Sequence, residues 1–158
     1  MVDFSGYETI RVERDGDILI LTMNRPDRLN AVNGVMHREL AHIFLDVDRD
    51  QESNVVVLTG EGRAFCAGGD VGGMTSEAGS NMIQEGVRVR GEPHLIVETL
   101  LSVEKPVIAM VNGPAIGLGA TIALLCDVVV AAEDARIGDT HVKVGLVAGD
   151  GGAVIWRC

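Results

Sequence analysis

Val107-Ile-Ala-Met-Val-Asn-Gly-Pro-Ala-Ile-Gly-Leu-Gly-Ala-Thr-Ile-Ala-Leu-Leu-Cys126 holds two patterns joined by a break. Val107 to Val111 is an apolar, β-rich run suited to a buried strand. Asn112, Gly113 and Pro114 interrupt it as turn residues do. From about Gly117 the chain becomes Ala/Leu-rich and is long enough for a buried helix. A strand entering a helix through a glycine turn leaves backbone N–H groups without intrahelical partners. With the helix dipole behind them, these donors suit negative charge. The run from Pro106 to Cys126 is free of charged side chains for about the length of a membrane span. Asn112, Pro114 and three glycines cut it, so the expectation is a strand–turn–helix outside the membrane.

Upstream, Tyr7–Glu13 and Asp17–Met23 flank Asp15-Gly16 and predict a β-hairpin. The polar loop Asn24-Arg25-Pro26-Asp27-Arg28-Leu29-Asn30 follows, with Asn30 or Asn33 available to cap a helix. Met36, Leu40, Ile43, Phe44 and Val47 define one face of that helix. His37 and His42 lack partners at metal-ligand spacing and read as surface positions. Val55–Thr59 reads as a second buried strand. The glycine-rich loop Gly60-Glu-Gly-Arg-Ala-Phe-Cys-Ala-Gly-Gly-Asp70 runs directly from it. Val71–Gly91 has weak periodicity and reads as a loop with a short helix. Pro93 opens another helix, with Ile96, Val97, Leu100 and Leu101 sharing a face and His94 in its solvated first turn.

Downstream, Val128–Ala132 is a strand and Ala135–Gly138 is short and extended. Ala148–Gly152 is a glycine turn, and a new helix is expected to begin at Trp156-Arg157-Cys158. Strands alternating with helices across long crossovers indicate an α/β domain with a largely parallel sheet.

The 158 residues suffice for one domain. Hydrophobic residues make up 47% but aromatics only 3%, so Val, Ile, Leu and Ala must build the core. A net charge of −10 argues against nucleic acid or an anionic membrane as partner, while leaving room for a phosphorylated small ligand held by local Arg or Lys. Cys66, Cys126 and Cys158 are widely spaced and form no Cys-x-x-Cys pair, which argues against a disulfide framework or a metal site. No secretory signal pattern is visible, and a reducing, cytoplasmic setting is expected.

Three large glycine-site classes fit poorly. Gly117-Leu-Gly119-Ala-Thr-Ile122 has two glycines of a dinucleotide fingerprint but ends in a bulky isoleucine. Neither a Gly-Lys-Ser/Thr phosphate loop nor a G-x-S-x-G elbow occurs. Two glycine loops, each following a buried strand, suggest another site. Each can offer one backbone N–H to a single carbonyl oxygen, forming an oxyanion hole.

In family order the chain carries Asn24-Arg-Pro with Leu29-Asn-Ala31, Val57-Leu-Thr-Gly60 with Arg63-Ala-Phe-Cys-Ala-Gly-Gly-Asp70, and Lys105-Pro-Val-Ile-Ala-Met-Val-Asn-Gly113. Gly117-Leu-Gly119, Cys126-Asp127, Val144-Gly-Leu and Gly149-Asp-Gly-Gly152 follow. Together they resemble the N-terminal part of the enoyl-CoA hydratase/isomerase (crotonase) family across nearly the whole chain. The resemblance implies a spiral of ββα turns that binds an acyl-CoA thioester as substrate, with no separate cofactor. The family's two oxyanion donors map onto the N–H groups of Gly69 and Leu118. Its CoA-holding segments map onto the loop of Arg25 and Arg28 and onto Ala64, Phe65, Ala67, Gly68 and Asp70. Family chains continue into helices that close the acyl pocket and build a trimer or dimer of trimers. Residues 1–158 are therefore read as a C-terminally truncated core of one domain.

The chain departs from the family where the chemistry is done. The positions of the two hydratase glutamates fall on Thr121 and His141, neither of them a carboxylate. Losing one positioned acid or base typically lowers a rate by roughly 10²–10⁴. Hydration by paired glutamates is therefore not expected. His141 stands where a general base belongs, with Asp139 and Asp150 near enough in sequence to orient it. The expectation is proton transfer or hydrolysis at an acyl group. The alternatives are an impaired acyl-CoA binder or inactive fragment, and a nucleotide-binding α/β domain.

Overall fold

The computed structural model describes residues 2–70, 92–145, 147, 149 and 151–156. The loop and short helix expected over Val71–Gly91 lie outside the described residues, as do Asp150 and Cys158.

The chain begins with an antiparallel hairpin, β1 (Ile10–Asp15) and β2 (Ile18–Met23), paired from Ile10↔Met23 to Asp15↔Ile18. Gly16 supplies the positive φ of 59° that the tight turn requires. From β2 onward the sheet is parallel. It continues through β3 (Val55–Gly60) and β4 (Val107–Val111) to β6 (Val128–Ala131), in the order β1-β2-β3-β4-β6. A separate two-stranded sheet pairs β5 (Ala115–Ile116) with β7 (Ile137–Gly138), also in parallel.

Helix α1 (Gly34–Arg49) starts at Asn33, whose side chain accepts from the Met36 N–H at 3.0 Å. Asn33 is thus the cap that the sequence left open between Asn30 and Asn33. Its buried face is Met36, Leu40, Ala41, Ile43, Phe44 and Val47, the expected stripe with Ala41 added. α1 packs against α2 (Glu92–Leu101), where Ile96 and Leu100 are buried. Leu101 was expected on that face but is exposed, since the helix ends there and the chain turns through Ser102. Leu19, Leu21, Val56, Leu58, Ala109 and Val111 join the helices in one core with Phe44 and Phe65.

Helix α3 (Leu118–Leu125) is buried from Leu118 through Ala123. The last short helix, α4 (Gly152–Ile155), precedes Trp156 rather than beginning there. Among the described residues no helix is long and apolar enough to cross a membrane. The edge strand β6 is exposed along its whole length, and Met110 beside it is exposed as well.

Candidate active site

Both glycine loops end on a small parallel array outside the main sheet. Val32 bridges Gly69, Cys66 bridges Ala115, and β5 pairs with β7. Four short segments, around residues 32, 66–70, 115–117 and 137–138, thus lie side by side. Cys66 N–H donates to Pro114 O at 3.0 Å and Ile116 N–H to Cys66 O at 2.8 Å. Gly117 N–H reaches Gly138 O at 2.9 Å.

Close backbone contact explains why glycines occupy the junctions. A Cβ on Gly68 would stand 2.7 Å from Ile116 O, and one on Gly119 would stand 2.4 Å from Cys66 O. Gly68 and Gly117 also hold φ of 86° and 56°, where other residues are strained. Gly117 is the N-cap of α3, so Leu118 is its first residue and its N–H has no intrahelical acceptor.

Gly69 presents its N–H in a defined direction. Val32 N–H donates to Gly68 O at 2.8 Å, and Asp70 N–H donates to Val32 O at 3.0 Å. Both peptide planes flanking Gly69 therefore face Val32. Its own N–H, trans to Gly68 O, points to the opposite side, away from Val32. Among the described residues, neither the Gly69 nor the Leu118 N–H meets a hydrogen-bond acceptor. Gly69 is exposed and Leu118 is buried, so the donors sit at the boundary between solvent and core.

His141 closes the group. It opens the 3-10 turn His141–Val144 just after β7, and its imidazole lies against Gly117. A Cβ on Gly117 would be 3.6 Å from His141 Cε1 and 3.7 Å from Nε2. The other ring nitrogen, Nδ1, is 2.6 Å from Asp139 Oδ1, which also accepts the His141 backbone N–H at 2.9 Å. That backbone bond is the largest influence on the Asp139 carboxyl; burial opposes it, and with the help of the imidazole it holds the group below its ordinary value. Asp139 is therefore a carboxylate near neutrality and can only accept. In the neutral imidazole a proton on Nδ1 donates to this carboxylate and the lone pair falls on Nε2, the nitrogen nearer Gly117.

Thr121 lies one turn into α3, 1% exposed. Its methyl faces Gly151, where a Cβ would stand 3.2 Å away, with Val97 and Ile155 beside it. Asp150 is outside the described residues, so His141 and Asp139 are the members of the expected trio that the structure brings together.

The segments assigned to CoA divide by burial. Arg28 ends the 3-10 turn Pro26–Arg28 and is exposed. Arg25 is engaged, with Nη1 and Nη2 each 3.2 Å from Asp70 Oδ2 and Nη1 also donating to Ala31 O. Ala64 and Phe65 are fully buried, and Ala64 O accepts from the Asn30 side chain at 2.8 Å. Ala67 N–H is taken by Leu29 O at 3.0 Å, and Gly68 is buried.

Sequence reasoning missed the Arg25–Asp70 pair, the bridge to Val32 and the role of Asn30. Buried at φ 56°, Asn30 accepts from Arg25 N–H and donates to Glu61 O and Ala64 O, tying the two loops together. An Asn tolerates that backbone conformation better than most residues, which was its one signal in the sequence.

The same chain shape recurs among known proteins. A crystal structure of an enoyl-CoA hydratase/isomerase from Mycobacterium paratuberculosis is similar with a TM-score of 0.83 and 41% identity, over 94% of this chain and 59% of that one. A 1,2-epoxyphenylacetyl-CoA isomerase of Escherichia coli (strain K12) is 40% identical over 135 residues, covering 85% of this chain and 52% of that protein. A short-chain-enoyl-CoA hydratase of Clostridium acetobutylicum is 37% identical over 142 residues, covering 89% of this chain and 53% of that protein. The chain spans about half the length of the curated relatives it matches. The family profile described as enoyl-CoA hydratase/isomerase matches residues 13–157, and the chain belongs to that family.

Proposed function

We propose that the chain is the oxyanion-binding and proton-transfer part of an enzyme acting on acyl-CoA thioesters, with His141 as general base. The observation that carries this reading is the placement of the Asp139-bound imidazole against Gly117, beside the turn that presents the Leu118 N–H.

The thioester carbonyl oxygen sits between the Gly69 and Leu118 N–H groups. His141 Nε2 removes a proton from the carbon next to that carbonyl, and the electron pair moves onto the oxygen. The two donors are already aimed when this charge develops, so little reorganisation is needed. The imidazolium is stabilised by Asp139 and returns the proton to carbon, moving a double bond or inverting a centre. With water as the proton source the same base supports hydrolysis at the acyl group. Arg28, exposed at the loop rim, takes a CoA phosphate. Hydration by two glutamates is not proposed, because Thr121 and His141 occupy their positions.

The test is deuterium exchange at the α-carbon of saturated and unsaturated acyl-CoA thioesters in D₂O, followed by mass spectrometry. Exchange is expected with the unsubstituted chain and a loss of about 10²–10⁴ in rate with His141→Gln. Full exchange in His141→Gln would show that another group is the base. Binding without any exchange would favour a non-catalytic acyl-CoA binder.

A further inference from the structure

We infer that Arg25 is a positioning residue for the Gly69 N–H, acting through two peptide units and held in place by Asp70. This rests on the oxyanion reading above and adds the residue that aims and polarises one of its donors.

The connection is a single line of hydrogen bonds. Arg25 Nη1 donates to Ala31 O. The Ala31 carbonyl and the Val32 N–H belong to one planar peptide, and that N–H donates to Gly68 O at 2.8 Å. The Gly68 carbonyl and the Gly69 N–H belong to the next such peptide. The order is guanidinium, peptide 31–32, peptide 68–69, and then the site. Each carbonyl accepts at one end of its plane and each N–H donates at the other, so the dipoles align toward the ligand. Bonds in such a chain strengthen one another, and a cation at its start reinforces every N–H downstream.

Asp70 supplies the second constraint. Its Oδ2 lies 3.2 Å from both terminal nitrogens of Arg25, and its own N–H donates to Val32 O at 3.0 Å. The two side chains are only 19% and 23% exposed, so solvent screens the pair incompletely. Arg25 is held from behind by its own N–H, which donates to Asn30 Oδ1 at 2.9 Å. Gly69 has no side chain to hold it, and its exposed position leaves its orientation to this frame.

The test uses the 158-residue chain with 4-(dimethylamino)cinnamoyl-CoA, whose absorption band moves to the red when its carbonyl is hydrogen-bonded. With the probe fully bound at saturating protein, Arg25→Gln is expected to lose much of the red shift. Arg25→Lys should retain part of the shift, and Asp70→Asn should lose less than Arg25→Gln. In NMR spectra without ligand, the Val32 and Gly69 amide protons should both move upfield in Arg25→Gln.

Tenfold weaker binding with an unchanged red shift would overturn the inference and make Arg25 a phosphate contact instead. If the unsubstituted chain binds the probe with no shift, the oxyanion reading fails. The relay is then judged on the amide protons, and unmoved Val32 and Gly69 signals overturn it. Should Arg25→Gln not fold, Arg25→Lys and Asp70→Asn carry both measurements. Unchanged shifts and unchanged amide signals in those two would equally overturn it.

Discussion

Asp139 decides which nitrogen of His141 is basic. Its carboxylate accepts from Nδ1 at 2.6 Å and so assigns the lone pair to Nε2. Asp139→Asn keeps the size of the side chain but can present an amide N–H₂ to the ring, favouring the wrong tautomer. A fall of about 10²–10⁴ in α-proton exchange is expected, with acyl-CoA affinity little changed. Deuterium incorporation beside isothermal titration would check both halves; equal exchange in the variant would remove Asp139 from the mechanism. Another residue-scale constraint is Gly119, whose missing side chain lets α3 approach Cys66. In Gly119→Ala the new methyl would meet a backbone carbonyl that cannot rotate away. A loss of about 3 kcal/mol is expected, the upper end for overpacking, measured as a urea midpoint shift at constant m-value.

At the scale of elements, the far ends of α1, β3 and β4 are joined by a buried charged cluster. Asp50 is 1% exposed and accepts from Ser53 Oγ at 2.6 Å and from Arg14 Nη2 at 3.0 and 3.1 Å. Lys105 Nζ donates to Val47 O at 2.7 Å and also to Asp50 O, satisfying carbonyls at the α1 C-terminus. Burial, the largest influence, pushes the Asp50 carboxyl up. Ser53, Arg14 and Lys105 together outweigh it and hold the group below its ordinary 3.8. A carboxyl with a lowered folded pKa stabilises fully above its unfolded value, and that contribution disappears as pH falls through the folded one. Asp50→Asn should cost about 1–3 kcal/mol near pH 7 and flatten the acid side of the stability profile below about pH 4. Urea unfolding across pH 3–7 would reveal it, and parallel curves for the two proteins would refute it.

The main strands and α1 were legible in the sequence because each buries a periodic face, as Met36, Leu40, Ile43, Phe44 and Val47 do. The small array was not, because its members are one or two residues long and carry no period. Two glycine loops suggested an oxyanion hole, and family motifs suggested the donors. Only the folded chain shows that Val32 sets the direction of Gly69, or that Arg25 meets Asp70. Those contacts span 37 and 45 positions of sequence, where local pattern has no reach.

For the whole molecule, β6 is an apolar edge: Val128, Val129 and Val130 are 48%, 38% and 56% exposed, and Met110 is 44% exposed. A flat apolar edge pairs readily with another chain. Expressed as these 158 residues, the protein should self-associate as concentration rises, and Val130→Lys should suppress this while leaving the unfolding temperature within about 2 °C. Light scattering over a concentration series would measure it, and equal scattering from both proteins would clear the edge of responsibility.

The array of residues 32, 66–70, 115–117 and 137–138 also sets an order of events during synthesis. The ribosome delivers Arg25 and Val32 first, Gly69 next, the α3 start later, and His141 last. The Gly117 N–H that opens α3 is held by Gly138 O at 2.9 Å, and His141 lies only three residues beyond Gly138. The strand partner that fixes the start of α3 and the imidazole beside it are therefore synthesised almost together, after every other segment of the array.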